Sequence, residues 1–257
     1  MNTTQHLDVP TSLLETYLVN FLSVVTSTII YHPLRTTATR IVGKKSLSLS
    51  PTVLYRGWSF CLLASHQFFL MGACKDQLEK RLKCNYELSL LEKSAIGAFS
   101  GFITTLTVTP CEAMTTQRQL GKSIDWKDRN LYHRGIVPIC IRQIGLGLGM
   151  FVLPDLIASK LPPKSQNNET LKPVINFFAG SFAAMMTHTS EHSRLLMQID
   201  PENHRTARAA FKSAWKQIFS SESIKLFKIR VTVIGIATAT MQIGKKTFSE
   251  IISGNRD

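Results

Sequence analysis

The side chain with the clearest chemical potential is Arg142, the only charged residue between Gly135 and Pro154. A charge inside an apolar run of this length is costly to bury, so it indicates a functional site. A guanidinium holds a carboxylate or a phosphate through two parallel hydrogen bonds. Arg142 therefore predicts a binding site for a small anion. The alternative is a structural arginine that bonds to free helix carbonyls.

A carboxylate, Glu112, stands at the end of a second apolar run. Residues 94–111 carry no charge, and Pro110 precedes Glu112 by two positions. Proline inside such a helix bends the axis and frees a carbonyl, which neighbouring helices or a cavity must satisfy. Glu112 then needs a cationic partner or water.

Two short motifs look like enzyme motifs, and neither predicts a reaction. His188, Glu191 and His192 fit the H-x-x-E-H pattern that grips zinc from one helix face, but no downstream acidic ligand is obvious. The run Gly145–Gly149 lacks the preceding strand of a dinucleotide loop, so it predicts close helix packing. Because no nucleophile accompanies a base, the chain is predicted not to be an enzyme and to need no cofactor and no metal.

Three stretches share one arrangement, in which an uncharged run leads into polar residues without becoming a loop. The runs are 16–33, 94–111 and 173–190, and their anchors Pro33, Pro110 and Thr189 are 77 and 79 residues apart. A near-constant period predicts three copies of one unit. Each unit also contains a second run, at 58–74, at 135–154 around Arg142, and at 231–244.

Each of these six runs is near the roughly 20 residues that a helix needs to cross a bilayer. Open sheets cannot expose their backbone to lipid, so the prediction is an all-α membrane protein. We expect six transmembrane helices in three repeats, 1–85, 86–168 and 169–257, which form one domain and act as a monomer. Short amphipathic helices are expected within each repeat, and Pro33 and Pro110 are the predicted helix kinks.

The net charge of +13 fits an anionic solute, anionic lipid or nucleic acid. Nucleic acid is not predicted, because the lysines and arginines are spread over the connections without a binding motif. They occur on both sides of the predicted membrane, so charge bias is not expected to fix the orientation. The five cysteines show no metal spacing and predict buried thiols. Met1–Pro10 is polar without arginine, so any targeting signal is expected to be internal.

The best-preserved motifs lie in the second unit. Gly97 and Gly101 lead to Pro110-Cys111-Glu112, and Tyr132-His133-Arg134-Gly135 leads to Arg142. Over nearly its whole length the chain resembles the mitochondrial carrier family, as a divergent member with degenerate signature motifs. That family has three such repeats, in which the odd helix ends in Pro-x-Asp/Glu-x-x-Lys/Arg and the even helix opens with an aromatic residue, a basic residue and glycine.

The resemblance implies a gate. In the family, the acid of each signature pairs with the base of the next and closes the matrix side. Here Arg35 replaces the first acid, and two of the three bases are absent. One expected pair remains, Glu112 with Arg194, and Arg35 with Glu191 is the expected substitute contact. The expected gate therefore rests on one or two pairs.

The resemblance also implies a solute site on the even helices near the membrane midplane. Carried over by position, its residues are Arg142, Gln143 and Ser65, with His66 as a further polar contact. Arginine followed by glutamine favours a carboxylate or keto acid over a nucleotide.

The even helices open with Arg56-Gly57 and Arg134-Gly135, which offer free amides and a cation. These features predict a site for anionic lipid, such as cardiolipin. The alternative is a plain helix start with snorkelling arginines.

The preferred function is a carrier that moves a small anionic metabolite across the mitochondrial inner membrane by alternating access, with antiport as one mode. The alternative is a transport-inactive, carrier-like scaffold, receptor or lipid-handling protein, with the outer membrane as a second location. The degenerate signatures keep this alternative open.

Overall fold

The computed structural model describes residues 13–82, 88–162, 168 and 170–254, and the regular structure in these residues is helical. The predicted boundary between residues 85 and 86 and the segment Met1–Pro10 lie outside the described residues. The helices are α1 (Leu13–Val42), α2 (Pro51–Leu54), α3 (Trp58–Leu82), α4 (Leu90–Gln119), a 3-10 turn (Arg129–Tyr132), α5 (Ile136–Phe151), α6 (Leu153–Ser159), α7 (Lys172–Met186), α8 (His188–Ile199), α9 (Ala207–Lys216) and α10 (Ser221–Gly254).

Three segments of the described chain are long and apolar enough to cross a membrane. They are Leu90–Gln119, Arg129–Ser159 and Ser221–Ile252. The predicted all-α class is confirmed, and the three segments agree with a membrane protein. The other three predicted spans and the repeat symmetry stay predictions.

The long helices pack in a closed order. Helix α1 packs against α3 and α10, α3 against α4, α4 against α5, α5 against α7, and α7 against α10. In the described part of the chain this order forms a ring, and α8 meets α4 and α5 beyond the end of α7.

The ring has polar side chains buried within it and large apolar side chains exposed. Ser65, Thr104 and Gln143 are fully buried, whereas Leu106 is 72% and Phe178 60% exposed. This distribution is the reverse of that in a water-soluble bundle and suits an exterior surrounded by lipid.

Glycines let α4 and α5 approach closely, as the spacing of Gly97 and Gly101 predicts. A Cβ on Gly147 would meet the carbonyl oxygen of Gly97, and a Cβ on Gly101 would meet that of Gln143. A Cβ on Gly149 would meet the side chain of Ala183 in α7. The glycine run of α5 is therefore a packing surface on two sides.

The third unit differs from the first two at its kink. Pro33 lies inside α1 and Pro110 inside α4, so both helices continue through their prolines. Helix α7 instead ends at Met186 and α8 begins at His188, with Thr187 between them at φ −101° and ψ 12°. The break therefore comes two residues before the predicted anchor Thr189, at a threonine whose backbone has left helical geometry.

Gly147→Ala is expected to destabilise the fold, because the added Cβ would collide with the Gly97 backbone. Overpacking of this kind costs about 1–3 kcal/mol and lowers the melting temperature of the detergent-purified protein. Gly72→Ala in α3 is the matched control, since among the described residues nothing lies within 4 Å of its added Cβ. That variant should be neutral or slightly more stable through helix propensity. Equal melting temperatures for the two variants would contradict the close α4–α5 packing.

Candidate functional site

Five charged side chains from four helices meet inside the ring. Arg35 comes from α1, Glu112 from α4, Arg142 from α5, and Glu191 and Arg194 from α8. We call these five residues the central cluster. Glu112 and Arg194 are each 1% exposed and Arg142 is 5% exposed. Charges buried to this degree must be paired, because an isolated ion loses its hydration without compensation.

The repeat spacing explains why three of these residues converge. Arg35, Glu112 and Glu191 each lie two positions after an anchor of the sequence pattern, at Pro33, Pro110 and Thr189. Equivalent positions on three helices of one ring face the same interior space. Arg142 reaches that space from the second turn of α5.

Glu112 pairs with three guanidinium groups. Its Oε1 lies 3.3 Å from Nη2 of Arg142, and its Oε2 lies 3.3 Å from Nη1 of Arg194 and also accepts from Nη2 of Arg35. The expected Glu112–Arg194 pair is therefore present.

Arg35 does not pair with Glu191, and that expected contact is wrong. Its guanidinium meets Glu112 and the Cys61 sulfur, the latter at 3.5 Å. The physical reason is that Glu191 is already held from the other side. Its two carboxylate oxygens accept two hydrogen bonds from Arg194 within α8, from Nη2 at 2.6 Å and from Nε at 2.9 Å. One of the same oxygens also lies 2.7 Å from Nη1 of Arg142.

The expectation that the gate rests on one or two pairs is also corrected. In the described residues, five pairings between arginines and glutamates join the central cluster. The difference arises because Arg142, predicted for the solute, also binds both carboxylates. The residue predicted to bind the solute and the residues predicted to form the gate therefore belong to one network.

Arg142 also borders a cavity of about 60 Å³, which we call the central cavity. Nη1 and Nη2 of Arg142 are bonded to glutamates, whereas its buried Nε has no hydrogen-bond partner among the described residues. A buried donor without a partner is costly, so this nitrogen is available to an acceptor that enters the cavity.

Arg230 of α10 is a candidate functional residue that the sequence patterns missed. It is 7% exposed and borders the central cavity together with Arg35, Arg142 and the two glutamates. Its Nη1 donates to the Ala184 carbonyl at 2.9 Å and its Nη2 to Thr187 Oγ1 at 2.6 Å. Arg230 thereby satisfies backbone freed at the break between α7 and α8. Its position directly before the uncharged run 231–244 was the available signal.

Two glutamines tie the C-terminal ends of α1, α4 and α8 together. Gln119 accepts from Thr39 Oγ1 at 2.7 Å and donates to Thr36 Oγ1 at 3.1 Å, and Gln198 accepts from Thr116 Oγ1 at 2.9 Å. Thr39 and Thr116 are 77 residues apart, and Gln119 and Gln198 are 79 residues apart. The same threonine–glutamine contact therefore occurs twice, at the spacing of the predicted repeat. We call this end of the ring the clasp end.

The clasp end carries most of the net charge. Its connections and adjoining turns, 40–58, 117–135 and 200–228, hold fifteen basic and five acidic residues, which is +10 of the total +13. The net charge is therefore uneven between the two ends, and the expectation that charge bias does not fix the orientation stays a prediction. At the other end, a cavity of about 370 Å³ lies between α1, α5, α7 and α10.

The other predicted solute contacts lie outside the central cavity. Ser65 is bonded to the Tyr31 hydroxyl at 2.7 Å, Gln143 to Gln67, and His66 to a carbonyl of its own helix. None of Ser65, His66 and Gln143 borders the central cavity in the described structure.

The predicted lipid-binding residues lie at the clasp end. Gly57 and Gly135 precede α3 and α5 with φ of 79° and 86°, a conformation that favours glycine. Arg56 is exposed, and Arg134 lies 3.5 Å from Asp128. Contact of these residues with lipid stays a prediction.

The zinc-like motif is occupied by protein contacts. Ser223 Oγ lies 3.1 Å from Nε2 of His188 and 3.4 Å from Nδ1 of His192, while Glu191 is held in the central cluster. No group of three or more metal-binding side chains occurs among the described residues.

Glu112→Gln is expected to destabilise the protein strongly, because Arg35, Arg142 and Arg194 would share one remaining carboxylate. Breaking a buried pair costs about 3–5 kcal/mol, which thermal denaturation in detergent would measure. Asp155→Asn is the matched control, since Asp155 pairs with Lys93 at 3.0 Å and its side chain is 58% exposed. That change should cost at most about 1 kcal/mol.

A second substitution separates charge imbalance from lost packing. Adding Arg35→Met to Glu112→Gln removes one of the unneutralised cations, so part of the lost melting temperature should return. No recovery in the double variant, or equal losses for Glu112→Gln and Asp155→Asn, would contradict the role of Glu112 as the shared counter-ion.

Comparison with known proteins assigns no family. No protein-family model matches the chain, and no curated protein matches it.

Proposed function

We propose that the chain is a carrier-type membrane transporter, which moves a small anionic metabolite by alternating access with the anion bound at Arg142. The observation that carries this proposal is the double engagement of Arg142. It borders the central cavity and binds both buried carboxylates, Glu112 and Glu191. Binding of solute and closure of the clasp end would then depend on the same guanidinium.

The wider architecture supports the proposal. The closed order of packing, the uncharged runs and the contacts repeated at 77 and 79 residues all fit six membrane spans in three repeats. The cavity of about 370 Å³ lies at the end opposite the clasps, where a solute would enter. A molecule that is open at one end, and closed at the other by ion pairs and hydrogen bonds between its helices, corresponds to one state of an alternating-access cycle.

Exchange of partners at Arg142 is the proposed trigger. An anion bound to Arg142 competes with Glu191 and Glu112 for the same donors. The carboxylate that is released loses a counter-ion, so the ion pairs that hold α4, α5 and α8 together weaken. The helices then tilt about Pro33, Pro110 and the break at Thr187, and the clasp end opens.

Membrane and orientation are proposed from resemblance and charge. The resemblance to mitochondrial carriers favours the inner mitochondrial membrane. Lysines and arginines in short connections favour the more negative side of a membrane, so the basic clasp end is assigned to the matrix. The exposed aromatic residues Trp126, Trp215 and Phe219 at this end suit the interface of an anionic leaflet, cardiolipin included.

A transport-inactive scaffold is the second candidate. The observation that favours it is the small size of the central cavity, about 60 Å³, behind a network in which both glutamates are fully engaged. A ring that never opens would need such cross-linking and no solute.

The test is uptake of labelled anions into liposomes that contain the purified chain. The panel contains keto acids, dicarboxylates, phosphate and nucleotides, and the variant is Arg142→Lys, which keeps the charge but loses the two-bond geometry. We expect uptake of one anion class, reduced about tenfold or more by Arg142→Lys, because a charged partner at a buried site contributes about 2–5 kcal/mol.

Arg129→Lys is the control, since Arg129 is exposed in the 3-10 turn and should leave uptake unchanged. Each protein must first show the same melting transition. A folded wild-type chain that moves none of these anions, and is stabilised by none, would contradict the transporter and favour the scaffold.

A further inference from the structure

The buried charges inside the ring do not balance. The central cluster together with Arg230 holds four guanidinium groups, those of Arg35, Arg142, Arg194 and Arg230, and two carboxylates, those of Glu112 and Glu191. The formal charge of this group is +2. Arginine stays protonated in proteins, so the excess cannot be relieved by losing protons.

The excess charge lies where a ligand would reach it. Three of the four arginines, Arg35, Arg142 and Arg230, border the central cavity. Arg35 is already engaged by Glu112. Arg230 bonds only to neutral oxygens, of Ala184 and Thr187, among the described residues. An uncompensated charge in a low-dielectric interior costs several kcal/mol, and an entering anion would remove that cost.

We propose that the central cavity takes a compact dianion, whose two negative charges are met by Arg142 and Arg230. This inference rests on the proposed function and narrows its substrate class from anions to dianions. A monoanion leaves one positive charge uncompensated, whereas a dianion makes the interior neutral. The small volume of about 60 Å³ favours a short dicarboxylate or a divalent oxyanion over a nucleotide.

Arg230 also links the ligand to the helix break. The guanidinium that would meet the second charge is the one that holds the Ala184 carbonyl and Thr187 between α7 and α8. Movement of this side chain toward a ligand releases backbone at the break, so α8 gains freedom to move relative to α7. Arg230 thereby combines binding of the second charge with positioning of the break.

The experiment compares anions of matched size and different charge in the same liposome assay. Succinate is paired with succinamate and sulfate with methyl sulfate, at neutral pH. We expect the wild-type chain to favour the dianion of each pair by about tenfold or more, the scale of one buried charge pair. The preferred pair separates a dicarboxylate from an inorganic oxyanion as the ligand.

Arg230→Gln tests the residue, because glutamine can still donate to the Ala184 carbonyl but carries no charge. Uptake of the dianions should fall about tenfold or more, whereas uptake of the monoanions should not fall. The ratio of dianion to monoanion uptake should therefore decrease. Lys228→Gln is the matched control, since Lys228 is exposed two positions earlier in α10 and should leave the preference unchanged.

The outcomes separate the two proposals. Uptake of monoanions equal to or faster than that of dianions would overturn this inference and leave the transporter intact. A preserved preference in Arg230→Gln would overturn the role of Arg230. If Arg230→Gln does not fold, Arg230→Lys is tested instead, and it should keep the preference for dianions because it keeps the charge. Loss of the dianion preference in Arg230→Lys would overturn the role of Arg230 in binding the second charge. No uptake or stabilisation with any anion would contradict the proposed function itself.

Discussion

The structure depends on one carboxylate, Glu112, which is shared by three arginines. Arg35, Arg142 and Arg194 approach it from α1, α5 and α8, while Glu112 itself belongs to α4. Without it, three guanidinium groups would lie close together with a single glutamate between them. The pairing of these helices at the clasp end is therefore a consequence of electrostatics as much as of shape, and the two glutamine contacts reinforce it nearby.

The first and third units show how such a network tolerates a degenerate sequence. Arg35 stands where an acid is expected, and it recruits Glu112 rather than repelling its neighbours. The third unit lacks the anchor proline, and its helix breaks at Thr187, where Arg230 donates to the Thr187 hydroxyl and to the Ala184 carbonyl. These two departures each place an arginine in the interior, Arg35 in the first unit and Arg230 at the break in the third, so the interior accumulates positive charge.

Sequence reasoning predicted the elements better than the contacts. The uncharged runs and their prolines indicated the long helices, and Gly97, Gly101 and the glycine run of α5 indicated where α4 and α5 meet. The partners of Arg35 and Arg142 could not be predicted, because they depend on how far each side chain reaches across the ring. Arg230 was visible as the last charge before the uncharged run 231–244, but its role depends on a helix break that no residue pattern marks. The difference in net charge between the two ends of the ring could not be predicted either, because it depends on which connections lie at the same end.

The proposed use of Arg142 for both solute and closure sets a limit on which solutes would open the ring. A monoanion that displaces Glu191 from Arg142 exchanges one ion pair for another and leaves the interior charge barely improved. A dianion that also reaches Arg230 neutralises a cation that no glutamate serves in the described interior, so its binding supplies free energy that the closed state lacks. Only a ligand with such a differential interaction shifts the equilibrium between states. In the proposed mechanism, excess positive charge in the interior selects the ligand that opens the clasp end. The same excess makes the empty, closed protein less stable than a balanced one would be.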